Sequence, residues 1–299
     1  MWAEPKTKGE FTRDLDRQLR GDLHDGGTGS VLVLLHGVGA TWSVWKPVLA
    51  ALEARHRVIA LTLPGHDGGK PVGNGGTSIA ALTDATLEQL RQLGITSAHV
   101  AGNSLGGWIA LELERRGFAR SVTALSPAGG WASVDDRDSL IGSMRLLFMI
   151  SGPILGLLSP VLSVGWLRRL LLRQTLEHGE RIEPATLREM LRSMVVAKPL
   201  VAKLLTAIRR DGPLPALAPS STPITVAWGE CDRVLPFPRY GQPLLEQLPD
   251  AELVMIDGVG HVPLYDDPAT IAATILATAA RAEALQSVTA NVERVESGQ

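Results

Sequence analysis

The sequence predicts an α/β fold: a mostly parallel twisted sheet with helices on both faces, interrupted by an inserted all-helical cap. Three observations predict it. Short runs rich in Val, Ile and Leu alternate with amphipathic helical patterns, as a parallel sheet covered on both faces requires. The alternation stops between about Ser133 and Pro219, where the pattern turns helical, apolar and proline-punctuated. The 299 residues carry no long Pro- or Gly-rich linker, which suits one large domain with an insertion.

Six runs read as strands: Ser30 to His36, Arg57 to Leu63, Ser97 to Gly102, Ser121 to Ser126, Pro223 to Gly229 and Ala251 to Asp257. Helices are expected from near Trp42, Ser78, Leu105 and Pro238, and from Pro268 onward. In the helix from Leu105, the spacing of Trp108, Ile109, Leu111 and Leu113 suits a face packed on the sheet, with Glu112 and Arg115-Arg116 in water and Gly117 as the stop. Residues 1–29 carry a weak signal for one or two short edge strands. Residues 30–132 and 220–286 then form the core, 133–219 the cap, and 287–299 a frayed tail with little to pack.

A net charge of −2 with scattered basic residues argues against nucleic-acid binding, which needs a concentrated positive surface. A small, mostly neutral partner fits better. The single cysteine, Cys231, excludes an internal disulfide framework and a cysteine-based zinc site. The charged N-terminus lacks the apolar core of a secretory signal, so a cytoplasmic location is expected. From Leu146 to Leu167 the chain is uncharged, long enough to span a bilayer, and bracketed by Arg145 and Arg168-Arg169. Gly152-Pro153 and Ser159-Pro160 should break that run into short helices, which favours an apolar lid over a membrane span.

Four stretches carry the chemistry. In "VAGNSLGGW", Val100 to Trp108, a serine flanked by glycines two residues away on each side follows a strand and opens a helix. That G-x-S-x-G context exposes a serine oxygen on a sharp turn, beside the helix N-terminus where backbone N–H groups favour negative charge. The alternative is a Gly/Ser turn whose hydroxyl merely caps the helix. "LLHGVGAT", Leu34 to Thr41, ends the first strong strand. Together with Leu105, its Val38 is a natural backbone N–H donor to an oxyanion, and His36 reads as a brace for the loop. "WGECDRVLP" places Asp232 just beyond a strand end, and "IDGVGHVPLYDDP" places His261 in a glycine-rich loop after the last strand. Glu230 and Asp257 also lie near strand ends, but Asp232 is better placed to reach an imidazole from a loop.

Ser104, Asp232 and His261 thus fall in the chain order serine, acid, histidine. In this order, "HGVG", "GNSLGG", "WGECDRVLP" and "GVGHVPLYDDP" resemble the α/β-hydrolase superfamily over roughly Gly29 to Ala284. The resemblance implies a carboxylesterase-like serine hydrolase with Ser104 as nucleophile, His261 as base, Asp232 as the orienting acid, and Val38 and Leu105 as oxyanion donors. It requires no metal or organic cofactor, and it implies a small, lipophilic ester as substrate. One departure lies in "LTLPGHDGG", where family members often carry Asp in place of Thr62 and Gly in place of Asp67.

"GNSLGGWIALELERRG" also resembles the hydrolases that cleave carbon–carbon bonds of ring-cleavage products. Their substrates carry a carboxylate, which would call for cationic groups in the pocket. Arg145, Arg168, Arg169 and Arg173 are available in the cap, although their spacing reads more economically as a solvated helix face. A third reading, from a different class, is a receptor-like ligand-binding protein on the same fold.

Overall fold

Apart from the edge strand Leu23–Gly26, the strands form on runs rich in Val, Ile, Leu and Ala. They are β1 (Leu23–Gly26), β2 (Val31–Leu35), β3 (Arg57–Leu61), β4 (Ala98–Asn103), β5 (Ala119–Leu125), β6 (Ile224–Gly229) and β7 (Glu252–Ile256). The computed structural model describes residues 22–73, 76–158 and 162–296. Residues 1–21 of the expected N-terminal segment and 297–299 of the expected tail lie outside the described residues.

The sheet runs β1-β3-β2-β4-β5-β6-β7, with β1 antiparallel to β3 and every other pairing parallel. All six expected strands are present, and β1 is an edge strand within the weak N-terminal signal. Successive residues of each central strand enter different cores. Val33, Leu35, Ile59 and Leu61 belong to one, and Leu32, Leu34, Val58 and Ala60 to the other. Burial on both faces explains why these strands read as continuous apolar runs.

Helices α1 (Lys46–Glu53) and α8 (Pro268–Glu296) cover one face, and α2 (Ile79–Gln92) and α3 (Leu105–Arg115) the other. Helix α7 (Phe237–Leu245) joins the second group through Tyr240 and Leu244. In α3, Trp108, Ile109, Leu111 and Leu113 are buried. Glu112, expected in water, is also largely buried, with Arg116 held 2.7 Å from its carboxylate. Helix α8 continues to Glu296, so helical backbone extends through most of the segment where fraying was expected.

Between β5 and β6 the chain leaves the sheet for α4 (Val134–Leu158), α5 (Gly165–Leu172) and α6 (Pro184–Asp211). The expected break at Gly152-Pro153 is absent, because α4 runs through Pro153 without interruption. Pro153 sits on the exposed side of the helix, while Leu140, Ile141, Met144 and Phe148 anchor the other side in the core. That packing outweighs the roughly 3 kcal/mol that an interior proline costs. The second expected break, at Ser159-Pro160, lies outside the described residues.

Strands β3 and β4 flank β2 on opposite sides, so sheet growth reverses there and a crevice opens beyond the carboxyl ends of β2 and β4. Close approach at this point depends on glycine. A Cβ at Gly106 would lie 2.1 Å from the Leu35 carbonyl oxygen, and one at Gly102 would lie 2.1 Å from the Gly106 carbonyl oxygen. Both obstacles are backbone, which cannot rotate aside. Gly106→Ala should therefore cost roughly 2–4 kcal/mol of folding stability. Urea unfolding checks this, and a loss below about 0.5 kcal/mol would contradict the contact.

Candidate active site

Ser104 lies between β4 and α3 with φ 57° and ψ −113°, a backbone conformation that L-residues rarely adopt. The strain is held by its surroundings. The Ser104 amide donates to the Leu125 carbonyl at 2.9 Å, and the Ser104 carbonyl accepts from the amides of Trp108 and Ala128 at 3.1 and 3.0 Å. Although Ser104 occupies the N-cap position of α3, its side chain makes no capping hydrogen bond. The hydroxyl is not consumed by a structural role.

His261, after β7, is buried and bonds through Nδ1 to Asp232 Oδ2 at 2.7 Å. A carboxylate only accepts, so the imidazole donates from Nδ1 and leaves Nε2 available. The other Asp232 oxygen accepts from the amides of Val234 and Leu235 at 2.9 and 2.7 Å, which fixes the carboxylate in the loop after β6. Of the other two acids near strand ends, Glu230 accepts from the Gly258 amide and Asp257 is exposed. Of these three acids, only Asp232 bonds to the imidazole.

The loop after β2 brings Val38 to the same place. His36 is buried; its Nε2 accepts from the Leu63 amide at 2.9 Å, so its Nδ1–H donates to the Gly37 carbonyl at 2.7 Å. Burial holds its pKa well below the ordinary histidine value, and it braces the loop in its neutral form. Among the described residues, the amides of Val38 and Leu105 have no hydrogen-bond partner. Thr62 is buried and accepts from the Trp42 amide. Asp67 accepts from Ser193 Oγ at 3.1 Å and so ties its loop to the cap.

Ser104, His261 and Val38 share one cavity of about 150 Å³, roofed by cap side chains such as Leu147, Phe148, Ile154 and Leu171. Among the described residues, none that lines it is Asp, Glu, Lys or Arg. The cap arginines take other positions. Arg145, Arg169 and Arg173 are exposed. Arg168, expected on a solvated face, is instead buried and donates to the carbonyls of Leu162 and Glu180 at 2.7 and 2.9 Å. Those two carbonyls need a forked cationic donor inside the cap, which a helical charge pattern does not reveal.

Two positioning residues were not singled out from the sequence. Asn103 Nδ2 donates to the carbonyls of His261 and Leu125 at 2.9 and 3.1 Å. Asp266 is buried and accepts from the amides of Gly260, Glu177 and His178 at 2.8, 3.0 and 2.7 Å, joining the histidine loop to the cap. Their residue types fit, since both lie inside the motifs around Ser104 and His261. Their partners are backbone groups far away in sequence.

The arrangement offers a strained serine, a carboxylate-held imidazole and two unpaired amides around an apolar cavity. A family model described as "Alpha/beta hydrolase family" matches residues 32–274. Epoxide hydrolase EphH of Mycobacterium tuberculosis is 36% identical over 201 residues, covering 65% of this chain and 91% of that protein. The 2-hydroxy-6-oxo-6-phenylhexa-2,4-dienoate hydrolase of Burkholderia cepacia is 27% identical over 245 residues, 80% of this chain and 84% of its own. Among solved structures, an esterase from Thermogutta terrifontis superposes with a TM-score of 0.65 at 19% identity, covering 87% of this chain and 93% of its own.

His66 stacks edge-on against His36 and is buried, which pushes its pKa down to about 4. Unfolded histidine titrates near 6.5, so between that pH and about 4 the unfolded chain binds a proton that the folded chain refuses. This histidine therefore subtracts stability as pH falls through that window and has no effect above it. Comparing denaturant unfolding of wild type and His66→Gln from pH 7.5 to 4 tests the linkage. The variant should lose less stability on acidification, and parallel profiles would contradict it.

Proposed function

Starting from the chain's membership of the alpha/beta hydrolase family, we infer that it is a serine hydrolase that cleaves carboxylic esters bearing a lipophilic group. One observation carries the reading: the strained Ser104 lines the same uncharged cavity as His261, whose Nδ1 is held by Asp232.

His261 Nε2 takes the Ser104 proton as Oγ attacks the ester carbonyl carbon. The carbonyl π electrons move to oxygen, and the resulting oxyanion receives the Val38 and Leu105 amides. Collapse breaks the bond to the alkoxide, which takes the proton from His261. The same nitrogen then deprotonates a water that attacks the acyl carbon; collapse breaks the bond to Ser104 Oγ, which takes that proton back from His261, and the carboxylic acid leaves. Throughout, Asp232 keeps the imidazole in the tautomer that presents Nε2 and stabilises it while it is positively charged.

Chemistry at position 104 separates this reading from two of the relatives' activities. A serine that opened an epoxide would form an ether, which lacks a carbonyl for water to attack, so hydrolytic release of an enzyme-bound alkyl group calls for a carboxylate nucleophile. An acidic ring-cleavage product would need a cation, and no Lys or Arg lines this cavity among the described residues. A neutral ester satisfies both constraints. A purely ligand-binding role would leave the proton-transfer geometry of His261 and Asp232 without use.

A cavity of about 150 Å³ is also the size that holds a benzene-sized apolar group. Across a series of p-nitrophenyl esters, kcat/KM should rise about fourfold per methylene, from roughly 0.8 kcal/mol each, until the cavity is filled. A profile flat or falling from acetyl upward would reject the lipophilic pocket.

Asp232→Asn should fold normally and lose on the order of 10⁴ in kcat, while Glu230→Gln and Asp257→Asn stay within a few fold. Steady-state kinetics with circular dichroism as the folding control decides it. Near-wild-type turnover in the Asp232 variant would mean that another acid, or another mechanism, operates.

A further inference from the structure

The outer side of the cap is apolar where a helix on the surface of a globular protein is ordinarily polar. Helix α4 is long and apolar enough to cross a membrane, yet only 22% of its most apolar stretch is buried. Leu146, Met149 and Leu157 are 54%, 64% and 79% exposed, and their spacing keeps them, with Pro153, along one side of the helix. On α5, Trp166 is 70% exposed and Leu170 is also exposed. The same two helices contribute Ile154 and Leu171 to the cavity wall, so the apolar exterior lies just outside the site.

A membrane span does not explain this surface. The opposite side of α4 is fixed in the protein, with Leu140, Ile141, Met144 and Phe148 buried in the core. Phe148 also presses so closely on Gly39 that a Cβ there would meet its ring at 2.5 Å. Pulling α4 into a bilayer would dismantle the loop that carries Val38. A helix anchored on one side and apolar on the other suits lying along a membrane surface, not crossing it.

The charge pattern specifies that phase. From Ser139 to Leu176 the chain carries four arginines and not one aspartate or glutamate. Residues 134–211 hold twelve Lys and Arg against eight Asp and Glu, whereas the whole chain holds 29 against 31. Arg145, Arg169 and Arg173 are exposed beside the apolar stripe; Arg169 pairs with Glu177 and Glu180, while Arg145 and Arg173 make no ion pair among the described residues. Of the three acids at the start of α4, two are partnered, Asp136 by Arg239 and Asp138 by Arg137 and Arg209, and the exposed Asp135 lies at the far end from the apolar stripe. Exposed Leu, Met and Trp beside Arg145 and Arg173, with no acid between Ser139 and Leu176, complement a lipid surface with anionic headgroups.

We propose that the outer face of α4 and α5 docks this protein in the plane of an anionic lipid membrane, with the cap side of the cavity turned toward the lipid. This docking surface is separate from the groups assigned to the reaction, and its test does not require turnover.

The test is co-sedimentation of the full chain with vesicles of phosphatidylcholine, with and without a quarter of phosphatidylglycerol. Binding should be stronger by at least tenfold to the anionic vesicles and should weaken as salt is raised. Met149→Glu with Leu157→Glu should reduce binding more than tenfold without lowering the melting temperature, since both side chains are exposed. Arg145→Gln should reduce it about fivefold while leaving binding to neutral vesicles unchanged. Failure to bind either vesicle, or binding indifferent to these substitutions, would overturn the proposal. So would a stable dimer in solution that Met149→Glu with Leu157→Glu dissociates, since a second copy would then cover the face.

Discussion

The structure depends on one strained peptide turn. At Ser104 the chain must reverse from β4 into α3 within a single residue, and it does so only because Gly102 and Gly106 let backbone meet backbone. This contact sets α3 against β2, places the Leu105 amide at the strand ends and directs the Ser104 side chain toward the cavity it lines. A turn of this kind costs of order 1–3 kcal/mol and persists where surrounding bonds over-determine it. The three hydrogen bonds of the Ser104 backbone, to β5, to the loop after it and to the first turn of α3, do so here.

The second constraint is how the cap is held. Phe148 rests on Gly39, Ser193 bonds to Asp67, the Val262 amide donates to the Thr175 carbonyl, and Asp266 collects two cap amides together with Gly260. These ties reach the loops that carry Val38 and His261. Positioning of the reacting groups and shaping of the substrate cavity are therefore one structural problem. A change of cap sequence alters both, which is how one sheet can serve esters, carbon–carbon bonds or other substrates in related proteins.

Much of this was legible in the sequence, because strand burial on both faces leaves unmistakable apolar runs and because Gly102, Ser104 and Gly106 must be neighbours in the chain. Asp232 and His261 were readable from strand-end position together with the chain order serine, acid, histidine, since strand ends alone offered Glu230 and Asp257 as well. Pro153 misled because local breaker chemistry was overruled by long-range packing of α4 in the core. Arg168 misled because its partners are main-chain carbonyls, invisible in a charge pattern. Asn103 and Asp266 act through backbone groups as far as 158 residues away, and no spacing rule reaches that distance.

The central claim is a covalent ester on Ser104. Mixing the protein with an excess of p-nitrophenyl butyrate, quenching in acid within milliseconds and mapping the digested protein by mass spectrometry tests it directly. The account predicts one butyryl group on the peptide containing Ser104, formed at the rate of the p-nitrophenol burst and absent from Ser104→Ala. Turnover of the ester with no acyl group on that peptide, or with the group on another residue, would contradict it.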